Sequence, residues 1–179
     1  MAVNSGANDE AITVATFSTP RLRAERMTRD HAEYLAEMNR DPEVMATLGG
    51  VRTPEESAEF LRRNLEHWDH NGFGQWMFRD ATGQLVGRGG LRWIDPSVGE
   101  EIVEVGYAFQ RSAWGMGLAT EATTGVIEIA RDRYGMEQLG AITLVTNTGS
   151  IRVLTKCGFT FEREVMHPAG LHRFFRLTL

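Results

Sequence analysis

The sequence predicts an α/β protein built on a mixed, mostly antiparallel sheet with about four flanking helices. Three observations carry this prediction. Apolar residues recur at helical spacing before Gly72 and at every second position after it. Three strand-like runs then follow one another, the first two across a short turn, as antiparallel neighbours do. A long helix next separates the third run from a buried strand, which is the pattern of one βαβ crossover.

Taken in order, residues 1–14 are small and polar and read as a disordered leader, leaving a single domain over 15–179. Residues 21–27 alternate as a first strand. Thr28 is the N-cap of a helix to Arg40 with Leu35 and Met38 on its apolar stripe. Asp41-Pro42 and Gly49-Gly50 read as turns. Thr53-Pro54-Glu55-Glu56 is an N-cap, a proline at the first helical position and acidic residues at the positive helix end. That helix runs to about His70 and buries Phe60, Leu61, Leu65 and Trp68. Gln75–Arg79 and Leu85–Trp93 form a hairpin across Asp80-Ala81-Thr82-Gly83, and residues 101–109 are a third strand. A helix over 117–134 puts Leu118, Ala122, Val126, Ile129 and Ala130 on one face, with Glu121, Glu128 and Arg131 elsewhere. Residues 141–146 form a buried strand. Thr148–Lys156 is a short helix closed by Gly158 in the left-handed conformation, and residues 160–164 and 172–179 are the last strands.

Composition bounds the function. The 179 residues suffice for one hydrophobic core without staples. Nineteen Lys and Arg against twenty-four Asp and Glu leave a net charge of −5, which disfavours nucleic acid and anionic membranes and suits a neutral or cationic substrate. The single cysteine, Cys157, can form neither an internal disulfide nor a thiolate metal site, and no metal is expected. His67 and His70 have ligand spacing but no third partner. No run is long and apolar enough for a membrane span, and the N-terminus lacks the features of a signal peptide, so a cytoplasmic location is expected.

The most informative segment is residues 110–122, which lies between a strand and a helix. Free backbone N–H groups and the helix dipole favour an anion there, and Gly115, Gly117 and Ala119 would let a phosphate approach the backbone. The same glycines also suit a tight turn made only for packing. A triphosphate loop needs Gly-Lys-Ser/Thr, which is absent. A dinucleotide fingerprint needs a third glycine where this chain has Thr120.

Trp114-Gly115-Met116-Gly117-Leu118-Ala119 resembles the acyl-CoA pyrophosphate loop of the GNAT N-acetyltransferase superfamily, with Trp114 where the family has Gln or Arg. The longer string through Thr120-Glu121-Ala122 is similar to the Rim-type branch, which acetylates ribosomal-protein N-termini. Asn147-Thr148-Gly149-Ser150 through Lys156-Cys157-Gly158-Phe159 resembles the family's second motif. Glu104-Val105-Gly106-Tyr107 matches the strand before the loop, and Thr19-Pro20-Arg21-Leu22 the opening strand.

The resemblance implies a sheet that splays after the third strand, with acetyl-CoA as co-substrate and its pantetheine arm paired to backbone at Ala108 and Phe109. Residues 114–119 would then cradle the pyrophosphate, and Asn147 would meet the pantetheine. Ser150 would lie near the CoA sulfur, ready to protonate the departing thiolate, and a backbone N–H near Tyr107–Phe109 would steady the oxyanion. Glu104 reads either as a carboxylate on the wetter sheet face or as the base for an attacking ammonium. Residues 40–51 and 171–173 would border the acceptor, a peptide N-terminus or a small-molecule amine. A non-catalytic acyl-CoA-binding module is the alternative. A homodimer is expected to use apolar surface at Trp93, Phe174 and Phe175.

Overall fold

A computed structural model describes residues 13–179. Its element order is β1 (Thr16–Ser18), β2 (Arg23–Arg26), α1 (Ala32–Arg40), α2 (Pro42–Met45), α3 (Pro54–Asn71), β3 (Gln75–Arg79), β4 (Leu85–Trp93), β5 (Val103–Phe109), α4 (Leu118–Asp132), β6 (Gln138–Leu144), α5 (Thr148–Lys156), β7 (Thr160–His167) and β8 (Gly170–Thr178). The described strands form one sheet in the order β1-β2-β3-β4-β5-β6-β8-β7, antiparallel throughout except where β5 meets β6. The mixed sheet and its single crossover are as the sequence predicts.

Local chemistry explains the boundaries. Thr53 accepts from Glu56 N–H at 3.2 Å while the Glu56 carboxylate takes Thr53 N–H at 2.8 Å, a capping box that opens α3 behind Pro54. Gly72 (φ 71°) ends the helix in the left-handed region. Asp41 does more than turn the chain: its carboxylate accepts from Glu43 and Val44 N–H and starts α2, a single turn the sequence reading missed.

Two layers of helix cover the sheet. Met27, Leu35, Phe60, Leu61 and Met77 pack α1 and α3 on one face. Leu118, Ala122, Val126, Ala130 and Leu154 bring α4 and α5 onto the other, against Val103, Val105, Leu139 and Ala141. At Phe174 and Phe175 both faces of β8 are covered, and these adjacent residues point to different clusters. Phe174 (0% exposed) packs with Ile94, Ile102 and Val165, and Phe175 (3%) joins the larger cluster. The dimer surface assigned to them is thus corrected: of the three residues named, only Trp93 is exposed. Among the described residues, no helix is long and apolar enough to cross a membrane.

The expectation of a disordered leader over residues 1–12 lies outside the described residues. Val14, the last residue assigned to that leader, is buried. Its N–H donates to the Tyr134 hydroxyl (3.1 Å), its carbonyl accepts from the Trp76 indole (2.9 Å), and the folded unit includes it.

Candidate active site

β5 and β6 share one register pair, Glu104 with Gly140. Beyond it the strands part, and β5 from Val105 to Phe109 is paired only to β4. Gln110 N–H donates to Val86 O and Ile94 N–H to Ile102 O, each at 3.0 Å. The alternation of an antiparallel ladder then turns the peptide groups of Glu104, Gly106 and Ala108 toward β4, while those of Val105, Tyr107 and Phe109 open into the gap. This corrects the backbone contact expected at Ala108, whose side chain is buried against Met38, Val44 and Met45. At Phe109 the carbonyl already accepts from the Trp114 indole (2.7 Å), which leaves its N–H for a bound chain.

Glu104 stands where the strands diverge and is 1% exposed, so the reading of it as a wet-face carboxylate fails. Burial pushes its carboxyl above the ordinary range. The Arg92 guanidinium, hydrogen-bonded to it from the paired position on β4, opposes that shift, and Asp95 and His172 act more weakly in opposite senses. A Cβ on Gly106, two residues along the same face, would meet nothing within 4 Å. The carboxylate therefore has open space beside it.

Tyr107 points to the opposite face. Its hydroxyl lies 3.0 Å from Ser150 Oγ and donates to Ser150 O at 3.3 Å. Burial raises the phenol well above its usual range, more than the Ser150 bond lowers it, so the proton stays on at neutral pH. The sequence placed Tyr107 only as a backbone donor. The contact that makes its side chain a candidate spans forty-three residues and exists only in the fold. Asn147 Oδ1 accepts from Ser150 N–H (3.0 Å) and caps α5, while its Nδ2 donates to Thr47 Oγ1 (3.0 Å), tying the segment after α2 to this corner. His172 is buried on the Glu104 side, its ring 4.8 Å from that of His167.

The glycine loop fits a diphosphate. Gly115 (φ 73°) and Gly117 (φ 79°) are both left-handed, and a Cβ on Gly115 would meet nothing within 4 Å. The first bond of α4 runs from Glu121 N–H to Gly117 O (3.1 Å), so Leu118, Ala119 and Thr120 have N–H groups without intrahelical acceptors at the positive end of a fifteen-residue helix. Trp114 and Met116 are half-exposed or more and flank this cradle.

A second device holds the loop in place. Glu121 accepts from Thr19 Oγ1 (2.6 Å), Arg21 N–H (2.7 Å) and Arg21 Nε (2.6 Å), and Arg21 Nη1 donates to Met116 O (2.8 Å). Helical periodicity put Glu121 off the apolar face, and nothing local announced its partners a hundred residues upstream. Burial acts to raise the Glu121 carboxyl, but the bonds from Thr19 and Arg21 outweigh it and hold the group below its ordinary value. Its stabilising effect is therefore present above the unfolded-state value and is lost as pH falls through the folded one. Glu121→Ala is expected to cost about 1–3 kcal/mol in denaturant unfolding at neutral pH, because charged hydrogen bonds are lost and their donors stranded. The deficit should shrink in acid. Among the described residues, no three His, Cys, Asp or Glu side chains could hold a metal ion.

Known proteins share this fold. The chain is 27% identical over 174 residues to the FsC-acetyl coenzyme A-N(2)-transacetylase of Aspergillus fumigatus, covering 87% of this chain and 72% of that one. The fold superposes on an acetyltransferase from Agrobacterium tumefaciens with TM-score 0.81 at 20% identity, over 93% of this chain and 96% of that one. It also matches RimL, a ribosomal L7/L12 alpha-N-protein acetyltransferase solved with coenzyme A, with TM-score 0.78 at 14% identity, over 92% and 98% of the two chains. The profile of the acetyltransferase (GNAT) domain matches residues 21–160, most of the chain. With a splayed sheet, a glycine cradle on a helix N-terminus and this match in agreement, the chain belongs to the GNAT family and is an acetyl-CoA-dependent N-acetyltransferase.

Proposed function

We propose that the protein acetylates a primary amine, either a protein N-terminal α-amine or a small-molecule amine, by direct attack in a ternary complex with Glu104 as base. One observation carries the reading: a buried carboxylate stands at the divergence of β5 and β6, opposite a protonated phenol on the other face of the same strand. Acetyl-CoA supplies an activated thioester, so no covalent enzyme intermediate is required. The N–H groups of Leu118, Ala119 and Thr120, with Gly115, Met116 and Gly117 around them, would hold its pyrophosphate beside Trp114. The Tyr107 and Phe109 N–H groups would pair with the pantetheine arm and donate to the carbonyl oxygen as it gains charge. Asn147 holds α5 and the segment after α2 at the mouth of the gap.

Glu104 takes the ammonium proton. Its raised affinity for protons brings it nearer the working pH, where a general base is most effective. Tyr107 Oη keeps a proton available to the departing thiolate, and Ser150 orients it. The acid role expected of Ser150 is accordingly shared, with the phenol as donor. Tyr107→Phe is expected to lower turnover on the order of 10²-fold, and Ser150→Ala by less, both with acetyl-CoA affinity unchanged and no recovery at high pH. A Ser150→Ala loss larger than that of Tyr107→Phe would reverse the two roles. The reading as a whole is tested by thiol release from acetyl-CoA with peptides and small amines, followed by mass spectrometry of the products. No product from any amine, with acetyl-CoA still bound, would favour the non-catalytic alternative.

A further inference from the structure

The helix-covered face that carries Glu104 also holds an unusual concentration of positive charge. Arg88 lies on β4, four residues before Arg92 and so on the same face, and is 5% exposed. Its Nη1 donates to the neutral Gln75 amide oxygen (2.9 Å). Its Nε has no hydrogen-bond partner among the described residues, and neither has the enclosed Tyr34 hydroxyl, which lies within reach of the Arg88 charge. The guanidinium of Arg52, half-buried just before α3, donates among the described residues only to the Asn39 side-chain oxygen, at 3.4 Å. The guanidinium carbons of Arg52 and Arg88 both lie over the Phe60 ring, 4.7 and 4.4 Å from its centroid.

These charges repel one another. Burial, then Arg52 and Arg92, push the Arg88 guanidinium down to about 9, and burial and neighbouring arginines lower Arg52 as well. Arginine stays protonated at neutral pH regardless. The carboxylates at hand compensate little: Glu104 is bonded to Arg92, Glu56 caps α3 through Thr53 N–H and its charge offsets the push on Arg52 less than each neighbouring arginine adds to it, and Glu37 acts on Tyr34. A buried guanidinium with a free Nε and a neutral partner is costly by itself, and its planar fork matches the two oxygens of a carboxylate.

We propose that Arg52 and Arg88, with the Tyr34 hydroxyl, form a subsite for a carboxylate carried by the acceptor amine itself. The inference rests on the reading of Glu104 as the base. Arg92 links the two, bonded to Glu104 on one side and felt by Arg52 and Arg88 on the other. The acceptor is then zwitterionic, a free amino acid or a peptide with an acidic residue near its N-terminus. The net charge of −5 points the other way, toward a cationic acceptor, but the local field at the site outweighs it.

The test compares amines that differ only in the carboxylate: amino acids against their amides, and peptides with Glu against Gln at the second position. With the acetyl-CoA-loaded protein, the acidic member of at least one set should show kcat/KM higher by ~10–100-fold, expressed in KM. The set that responds tells a free amino acid from a peptide. Arg52→Gln, at a half-exposed position, should bring the two members together, and Arg52→Lys should restore part of the difference. Equal use of both members throughout would overturn the subsite while leaving acetyl transfer standing. Calorimetry with the N-acetylated acids and the CoA-loaded protein reads the subsite without turnover. Binding to the wild type that Arg52→Gln weakens supports it, and absence of binding overturns it. Should acetyl-CoA fail to raise the melting temperature, the acetyl-transfer reading falls instead.

Discussion

Glu104→Gln is expected to lower turnover at neutral pH by ~10²–10⁴-fold, with much of the loss recovered at high pH where the amine deprotonates without help. An α-amine, with a pKa of ~8, should recover earlier than a lysine side chain near ~10.4. The substitution keeps the size of the side chain and removes only the titration. Stability should move the other way. The folded-state carboxyl is pushed above its unfolded value, so holding it ionised opposes folding at higher pH, and this handicap disappears as pH falls through the folded value. Glutamine carries no such handicap, and Arg92, half-exposed, can return to water. The variant should therefore melt at or above wild type at pH 8 and converge with it in acid. Wild-type turnover at pH 7 would remove Glu104 from the chemistry. Lost turnover with a lowered melting temperature would make it a structural residue.

Gly117→Trp is expected to abolish detectable acetyl-CoA binding, a loss of ~10²-fold or more in affinity if two charged hydrogen bonds to phosphate are forfeited. The position has φ 79°, and a Cβ there lies 3.5 Å from Arg21 Nη2, so a larger side chain crowds the arginine that holds the loop through Met116 O. Gly115→Ala makes the contrast. It has equal backbone strain, about 1–2 kcal/mol, yet nothing within 4 Å of the new methyl. It should cost stability more than affinity. Thermal shift with and without acetyl-CoA separates the two. Retained binding in Gly117→Trp would move the diphosphate away from this loop.

What the sequence revealed depended on how local each signal was. α3 was legible from four residues because its cap, proline and acidic turn all lie within Thr53–Glu56. The β3–β4 hairpin was legible from its turn, and the helix-terminal cradle from its glycines and the strand–helix change of period. β1 was not, since three residues with mixed burial acquire their identity only by pairing with β2. The tie between Glu121 and Arg21, the Tyr107–Ser150 contact and the burial of Arg88 share the same cause: each is a long-range partnership between residues whose neighbours in sequence look ordinary. In the strand LVGRGGLRW, Arg88 and Arg92 read alike, yet one is enclosed over Phe60 and the other reaches out to Glu104. Apolar character misled at Phe174 and Phe175 because alternation implies one wet face, and β8 has none at these two positions.

Glu104 and Tyr107 lie three residues apart on β5 and hence on opposite faces of it. The division of labour proposed for them therefore rests on parity, on an odd number of steps along an extended chain. Inserting one residue between them would preserve every side chain named above, yet would bring the proposed proton acceptor and proton donor to the same side of the sheet. Such a length variant should lose turnover and, because the Tyr107 and Phe109 peptide groups turn with the register, part of its affinity for acetyl-CoA as well, leaving the α4 cradle as the remaining hold. On that reading the number of residues in β5 matters to the chemistry as much as their identities do.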